Sequence, residues 1–500
     1  MSELIICFVT SAGLALLLTP FVRAGARRIG LLDHPDGGRK VHAHSTPVAG
    51  GIVVLLAVVI TVGLTLALSP VMRQFLLSDL NVLLGLGIAS VLICALGVID
   101  DYGHLRGRYK LLGQTLVVSL VIALGVRVNS FNLFGLPIEL GWFAIPFTVF
   151  WLLGAINSLN LLDGMDGVLC CIGIIATLGF GIMACLNGCW TAACIALILA
   201  GALLGFLRYN FPPATIFLGD SGSMLIGLTI GVLAIQSSLK TSATISLAAP
   251  LAIMTLPIMD TFAAIIRRKL TGRSIYTTDR GHLHHCLANK GLSNRDVLMY
   301  VALLSSLTMV GALASLWLKN EFLAVLSMLT VACILVATRL FGYVEFVLIK
   351  KSLAHGTNKM LHRGRSGPQE IELQLQGKVQ WRKHWSRLQS AAQDLQLQKL
   401  TLDVNAPAFH EVYHARWENP QAVVMEQNSS WVVALPICLS GNVIGRLEAV
   451  GERQSELFWE TVAKVAVLVE EFELQLSQSL RPTGSALVPI AKQPEMAASS

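Results

Sequence analysis

The sequence predicts an all-α polytopic membrane protein of about eleven transmembrane helices, with the N-terminus outside, the C-terminus cytoplasmic, and a small α+β cytoplasmic domain at the C-terminal end. Three observations predict it: the composition, the recurrence of long apolar runs, and a change of character after roughly residue 350. Of 500 residues, 54% are hydrophobic and only 13% charged, and the mean hydropathy is +0.66, far from the soluble range.

A helix needs roughly 17 to 25 apolar residues to cross about 30 Å of hydrocarbon. Runs of that kind fall near residues 3–22, 50–69, 83–99, 111–127, 140–156, 167–186, 190–207, 222–237, 243–266, 298–317 and 321–345. The first, LIICFVTSAGLALLL, follows acidic Glu3 and lacks a small-residue cleavage site, so it reads as a retained span and not a signal peptide. Cys94, Cys170, Cys171, Cys185, Cys194 and Cys333 lie inside apolar runs without C-x-x-C spacing. They read as small buried hydrophobes, which argues against a disulfide framework.

The net charge of +7 is modest, and its placement is more informative. Arg23, Arg27, Arg28, Arg39 and Lys40 follow the first run; Arg106, Arg108 and Lys110 the third; Arg267, Arg268, Lys269, Arg273 and Arg280 the ninth. The alternate loops hold little more than Arg73, Arg127, Lys240 and Lys319. The positive-inside rule therefore puts the odd-to-even loops in the cytoplasm.

Domain boundaries follow: 1–348 a transmembrane domain, 349–370 a basic linker containing GTNKMLHRGRSG, 371–480 the small α+β domain, and 481–500 a disordered tail. In the third segment IELQLQGKVQ alternates like a strand, WRKHWSRLQSAAQDLQLQ has helical spacing, SWVVALPICLSGNVIGRLEAVG reads as two strands around a turn, and SELFWETVAKVAVLVEEFELQL reads as an amphipathic helix.

On this topology every polar cluster falls at a cytoplasmic end: DHPDGGRKVHAHSTPVAGG, DDYGHLRGRYK, NSLNLLDGMDG, RYNFPPATIFLGDSGS and DRGHLHH. In the third of these, Asn157, Asn160, Asp163 and Asp166 recur every three residues and on a helix form an oxygen-rich ladder. A helix end capped by Asn and Asp is the plainer reading, but a cap needs fewer oxygens. Hard oxygen ligands without cysteine point to Mg²⁺, with Mn²⁺ as the alternative. Asp100 and Asp101 end the third run; adjacent residues diverge by about 100°, so one faces a site while the other meets solvent or a basic side chain. Asp220 within FLGDSGS suits a metal-and-phosphate corner or an ordinary helix cap, and the string matches neither a Walker A loop nor G-x-G-x-x-G. Asp279, Arg280, His282, His284 and His285 suit phosphates better than zinc, since H-E-x-x-H is absent. Together these clusters ask for an anionic, metal-bound substrate reached from the cytoplasm at the lipid boundary. A cation-coupled transporter is the rival class, and it expects ionisable groups near the midplane rather than on one face.

With those residues in view, residues 1–345 resemble the bacterial polyprenyl-phosphate N-acetylhexosamine-1-phosphate transferases, the family that includes phospho-MurNAc-pentapeptide transferase. The ordered motifs are D-x-P-x-x-x-R-K-x-H with P-x-x-G-G (Asp33, Pro35, Arg39, Lys40, His42, Pro47, Gly50, Gly51), Asp100 and Asp101 with Lys110 and Gln114, N-x-x-N-x-x-D-G-x-D-G, Y-N with F-x-G-D-x-G-S, P-x-x-D-T at Pro257–Thr261, and D-R-x-H-x-H-H. The His loop and the DD-to-Lys spacing look more like the GlcNAc-1-phosphate branch, which starts O-antigen, teichoic acid and exopolysaccharide chains, than the pentapeptide branch. The resemblance implies transfer of a sugar 1-phosphate from a UDP-N-acetylhexosamine to undecaprenyl phosphate, with release of UMP, at the bacterial inner membrane. It implies Mg²⁺ on Asp220, with Asn160 as second ligand. Phe217, Asn210 and Asp166 are expected near the nucleoside, and His282, His284 and His285 near phosphates or sugar. Arg39, Lys40, His42, Lys110, Asn157, Asp279 and Arg280 are expected substrate contacts, and Asp100, Asp101, Asp163 and His282 the catalytic candidates. The partners expected are the nucleotide sugar, the polyprenyl phosphate, membrane lipid and a second copy in a homodimer; no nucleic acid is expected.

Overall fold

In lipid a backbone must satisfy its own polar groups, so apolar runs of this length fold as helices. The computed structural model describes residues 1–33, 45–103, 105–134, 136–238, 245–271, 281–343, 345–347, 349–350, 370–376, 379–406, 411–419, 430–439, 442–452 and 458–479. Arg39, Lys40, His42, Asp279 and Arg280, the 351–369 part of the expected linker, and the expected tail lie outside the described residues. The chain divides into two units, Met1–Thr357 and Asn358–Ser500.

The first unit contains α1 (Ser2–Arg28), α2 (Gly50–Leu68), α3 (Pro70–Ser78), α4 (Leu80–Gly103), α5 (Gly107–Ala123), α6 (Ala144–Leu162), α7 (Val168–Leu186), α8 (Trp190–Asn210), α9 (Gly219–Gln236), α10 (Ala248–Ile253), α11 (Thr255–Thr271), α12 (Leu283–Asn289), α13 (Asn294–Trp317) and α14 (Phe322–Ala337). Among the described residues, 8 helices are long and apolar enough to cross a membrane: α1, α2, α4, α6 with its preceding turn, α7, α8, α9 and α13. The expected count of about eleven spans is thus met only in part. Helices α5 and α14 have 17 and 16 residues. The ninth run is split at Met254 into α10 and α11. Pro257, which has no N–H to give, sits in the first turn of α11, where none is needed.

Helix α9 is the axis of the bundle: 83% of its apolar window is buried, against 22% for α1 at the periphery. It packs against α4, α6, α2 and α7, while α8 packs against α1 and α7. Small residues permit the close approaches. A Cβ on Gly201 or Gly205 of α8 would lie 2.2 Å from the carbonyl oxygens of Phe8 or Ala12 in α1. Outward-facing Ile5, Ile6, Leu17, Phe21, Leu84, Ile88 and Leu116 stay exposed, as lipid-facing positions should.

Two small sheets mark opposite ends. Strands β1 (Leu32–Asp33) and β2 (Thr46–Pro47) pair antiparallel beside the α8–α9 junction, where Val48 bridges Phe217. At the other end β3 (Ser130–Leu133), β4 (Leu136–Glu139) and β5 (Ile245–Ser246) join the α5–α6 and α9–α10 connections.

The second unit holds an antiparallel sheet in the order β6-β8-β7-β10-β9, formed by β6 (Glu370–Gln376), β7 (Lys399–Ala406), β8 (Glu411–Glu418), β9 (Ser430–Leu439) and β10 (Asn442–Glu452). Helices α15 (Trp381–Asp394) and α16 (Phe458–Ser479) belong to the same unit. Its core joins Trp381, Trp385, Leu402, Tyr413, Leu447 and Phe472. β6, α15, β9, β10 and α16 match the segments read from sequence; β7 and β8 were not read there.

Candidate active site

The polar clusters at the ends of α4, α6 and α8 meet at the N-terminus of α9. Gly219 (φ +71) turns the chain into that helix, and a Cβ there would sit 2.6 Å from Asp101 Oδ2. Asp101 accepts from the amides of Asp220 (2.8 Å) and Ser221 (3.2 Å). Those amides have no intrahelical partner, so Asp101 caps α9 from another helix and supplies acceptor oxygens at its N-terminal end. Helices α2 and α4 press onto the same turn. A Cβ on Gly51 would lie 2.3 Å from Gly222 N, and one on Gly97 would lie 2.3 Å from Ser221 Cα.

Asp100 faces the other way and is buried. Its Oδ1 accepts from Leu105 N at 2.7 Å, and its Oδ2 lies 2.8 Å from Lys110 Nζ. The same ammonium is 3.0 Å from Asp220 Oδ2 and 3.4 Å from Asn160 Oδ1. Asn160 Nδ2 in turn donates to Asp220 Oδ1 at 2.5 Å and to Ser223 Oγ at 2.7 Å. Three oxygens from three elements therefore converge on one cation. The divergence expected of adjacent aspartates is resolved: Asp100 joins this cluster and Asp101 holds backbone.

The oxygen ladder forms only in part. Asn157 and Asn160 lie on α6, but the helix ends at Leu162; Asp163 is its C-cap and Asp166 lies in the following turn. The glycines allow the break, Gly167 with φ +74. Asn157 is turned away from the carboxylates, donating to Gln114 Oε1 (2.9 Å) and Leu153 O (2.8 Å). Asp166 Oδ2 accepts from Ala214 N at 2.9 Å. Asn210 accepts from Gly167 N at 3.1 Å and donates to Ile216 O at 3.0 Å. These side chains fasten the α6–α7 turn to the α8–α9 loop, where Phe217, half-buried, bonds Pro47 O through its amide. Burial, then the charges of Asp220, Asp101 and Asp166, hold the Asp163 carboxyl well above the ordinary carboxylate range.

The histidine loop is fixed by the aspartate of the P-x-x-D-T string, a residue whose sequence context gives it no role. Asp260, fully buried on α11, binds His282 Nδ1 at 2.6 Å and accepts from Leu283 N at 2.7 Å. The P-x-x-D-T and D-R-x-H-x-H-H strings therefore form one unit. His284 stacks beside His282 and is buried against Gly164, where a Cβ would come 2.3 Å from its Nε2. Neither ring nitrogen of His284 has a hydrogen-bond partner among the described residues. Burial, then His285 and His282, push its imidazole well below its usual pKa, so it is neutral at neutral pH. The loop thus reaches the Asp163–Gly167 turn.

Among the described residues, no three His, Cys, Asp or Glu side chains converge closely enough to hold a metal ion on their own. The available donors at Asp220, Asp100 and Asn160 are all hard oxygens.

This arrangement can be set beside known proteins. A sequence model of glycosyl transferase family 4 matches residues 83–238, which carry Asp100, Asp101, Lys110, Asn160 and Asp220. A probable undecaprenyl-phosphate N-acetylglucosaminyl 1-phosphate transferase of Bacillus subtilis (strain 168) is 32% identical over 325 residues, covering 64% of this chain and 88% of that protein. The chain belongs to glycosyl transferase family 4. Other relatives of this family 4 protein include the decaprenyl-phosphate N-acetylglucosaminephosphotransferase of Mycolicibacterium smegmatis (strain ATCC 700084 / mc(2)155), 32% identical over 63% of this chain and 82% of its own length. The phospho-N-acetylmuramoyl-pentapeptide-transferase of Shouchella clausii (strain KSM-K16) is 32% identical over 56% and 87%.

Proposed function

We propose that this family 4 chain transfers N-acetylglucosamine 1-phosphate, or a related N-acetylhexosamine 1-phosphate, from a UDP-sugar to undecaprenyl phosphate, releasing UMP. The observation that carries the reading is the convergence of Asp100, Lys110, Asn160 and Asp220 at one end of an apolar bundle, with His284 packed on the adjoining Asp163–Gly167 turn. A lipid acceptor reaches such a site from the bilayer and a nucleotide sugar from water. The names of the relatives support a polyprenyl-phosphate acceptor and an N-acetylglucosamine phosphate group as what is transferred. We place this end in the cytoplasm by the positive-inside rule, with α5, α14 and the α10–α11 pair completing eleven crossings of a bacterial inner membrane.

A lipid phosphate oxygen attacks the β-phosphorus of the donor, the pyrophosphate bond breaks, and UMP leaves with its electron pair. The sugar C–O bond is untouched, so the anomeric configuration is kept. A phosphate monoester has a second pKa of about 6, so the acceptor is already largely dianionic at neutral pH and needs little deprotonation. Asp100 accordingly orients Lys110, and Lys110 neutralises phosphate charge. Mg²⁺, when bound, supplies Lewis-acid stabilisation of the diphosphate; Asp220 and Asn160 Oδ1 would hold it, since this ion takes few carboxylates and completes its shell with phosphate oxygens and water. His282, fixed by Asp260, and His284 face the donor. Positioning and charge neutralisation provide most of the rate.

The test is to incubate membranes containing the protein with undecaprenyl phosphate, Mg²⁺ and a panel of UDP-sugars. UMP and a lipid-linked sugar are expected with UDP-GlcNAc; no product from any donor, with Asp220→Asn behaving like wild type, contradicts the reading.

A further inference from the structure

A buried ion pair lies behind the histidine loop. Arg267 on α11 is 3% exposed, and Glu345, in the helical residues 345–347, is 6% exposed. Arg267 Nη1 donates to Glu345 Oε1. A Cβ on Gly281 would lie 2.4 Å from Arg267 Cζ and 2.6 Å from its Nε and Nη2. The guanidinium therefore lies directly against the Gly281 backbone, an approach that a side chain at this position would block. Gly281 precedes His282, whose ring is held by Asp260. Asp260 and Arg267 are about two turns apart on α11, so they present to one side of it. The chain that leaves α11 at Thr271 is thus received back by the same helix, with its ring on Asp260 and its backbone on Arg267.

We infer that the Arg267–Glu345 pair is a positioning device for the histidine loop: Glu345 holds the guanidinium against Gly281, and this sets where His282 and His284 stand. The assignment of the histidines to the donor rests on the transferase reading above. A buried ion pair adds little stability over apolar residues of similar volume, and fixing one arrangement among several is its best-attested use. Arginine suits that use because its planar fork keeps both its partner and its plane fixed, whereas a lysine ammonium offers no plane to lay on a backbone.

The experiment uses the full chain in lipid nanodiscs with Glu345→Gln, Arg267→Lys and the apolar double variant Arg267→Met with Glu345→Leu, which keeps the volume without the charges. Amide exchange of Leu283–Leu287, referenced to α13, is expected to quicken about tenfold in all three. The KM for the UDP-sugar is expected to rise about tenfold, with kcat changed less than about threefold and the KM for undecaprenyl phosphate unmoved. A double variant with wild-type exchange and wild-type donor KM overturns the inference, as does a parallel loss of kcat and both KM values. If the wild type makes no product, the transferase reading fails and exchange alone decides: faster exchange supports the positioning role, unchanged exchange overturns it.

Discussion

Lys110 Nζ lies 3.0 Å from Asp220 Oδ2, across the gap between the first turns of α5 and α9. With Asp100 at 2.8 Å, the ammonium stands between two carboxylates that would otherwise repel each other. Lys110→Met is expected to lower kcat by about 10²- to 10³-fold, the usual cost of removing one preorganised group from a site of this kind. Lys110→Arg is expected to rescue little, because a planar fork cannot replace a point charge shared among three oxygens. Steady-state UMP release checks both.

The neighbouring aspartates predict opposite phenotypes. Asp101→Ala removes the cap on the Asp220 and Ser221 amides and should cost about 1–2 kcal/mol, read as a lower apparent Tm in detergent. Asp100→Asn should leave Tm nearly unchanged and lower kcat, because it frees Lys110. The pH profile of that variant separates the roles: a rate that recovers at high pH marks Asp100 as a base, and a flat deficit marks it as an orienting group.

The close packing on α9 predicts a stability effect at a position that carries no charge of its own. Gly97→Ala places a methyl 2.3 Å from Ser221 Cα, where backbone and not a flexible side chain must yield. A loss of about 1–3 kcal/mol, the range for overpacking, is expected in thermal unfolding, together with displacement of the Asp101 cap. Gly63→Ala, with nothing within 4 Å of the added methyl, is the control.

Asp163 carries a pH dependence. Its folded pKa is raised well above the ordinary 3.8, so the folded state binds a proton that the unfolded state releases first. Its contribution is fully present below pH 3.8 and is lost as pH rises through the raised folded value. Asp163→Asn is therefore expected to lose less apparent Tm than wild type when the pH is taken from about 5 to about 8, measured by thermal unfolding across that interval.

Much of this was legible because lipid imposes a strong one-dimensional pattern. Long apolar runs gave the helices, and the polar strings at alternate ends gave one shared face, where Asp100, Asn160 and Asp220 indeed meet. What stayed hidden depends on contacts between distant residues. Nothing in DDYGHLRGRYK says which aspartate caps a helix more than a hundred positions away. Asn157 shares the spacing of Asn160 but is diverted by Gln114, a partner on another helix. Asp260 sits in an apolar run and shows its role only when His282 folds back onto it. Helix α3, capped by Ser69, and the β3–β4 hairpin are too short to rise above the flanking hydrophobic signal.

The central claim is that the phosphate next to the sugar moves with it. Donor labelled separately in the β-phosphate and in the uridine, given to the purified protein with undecaprenyl phosphate and Mg²⁺, tests it directly. The account predicts β-phosphate label in the lipid product, uridine label in UMP, and loss of both signals in Asp220→Asn. Release of UDP, with a lipid product carrying sugar but no β-phosphate label, would contradict it.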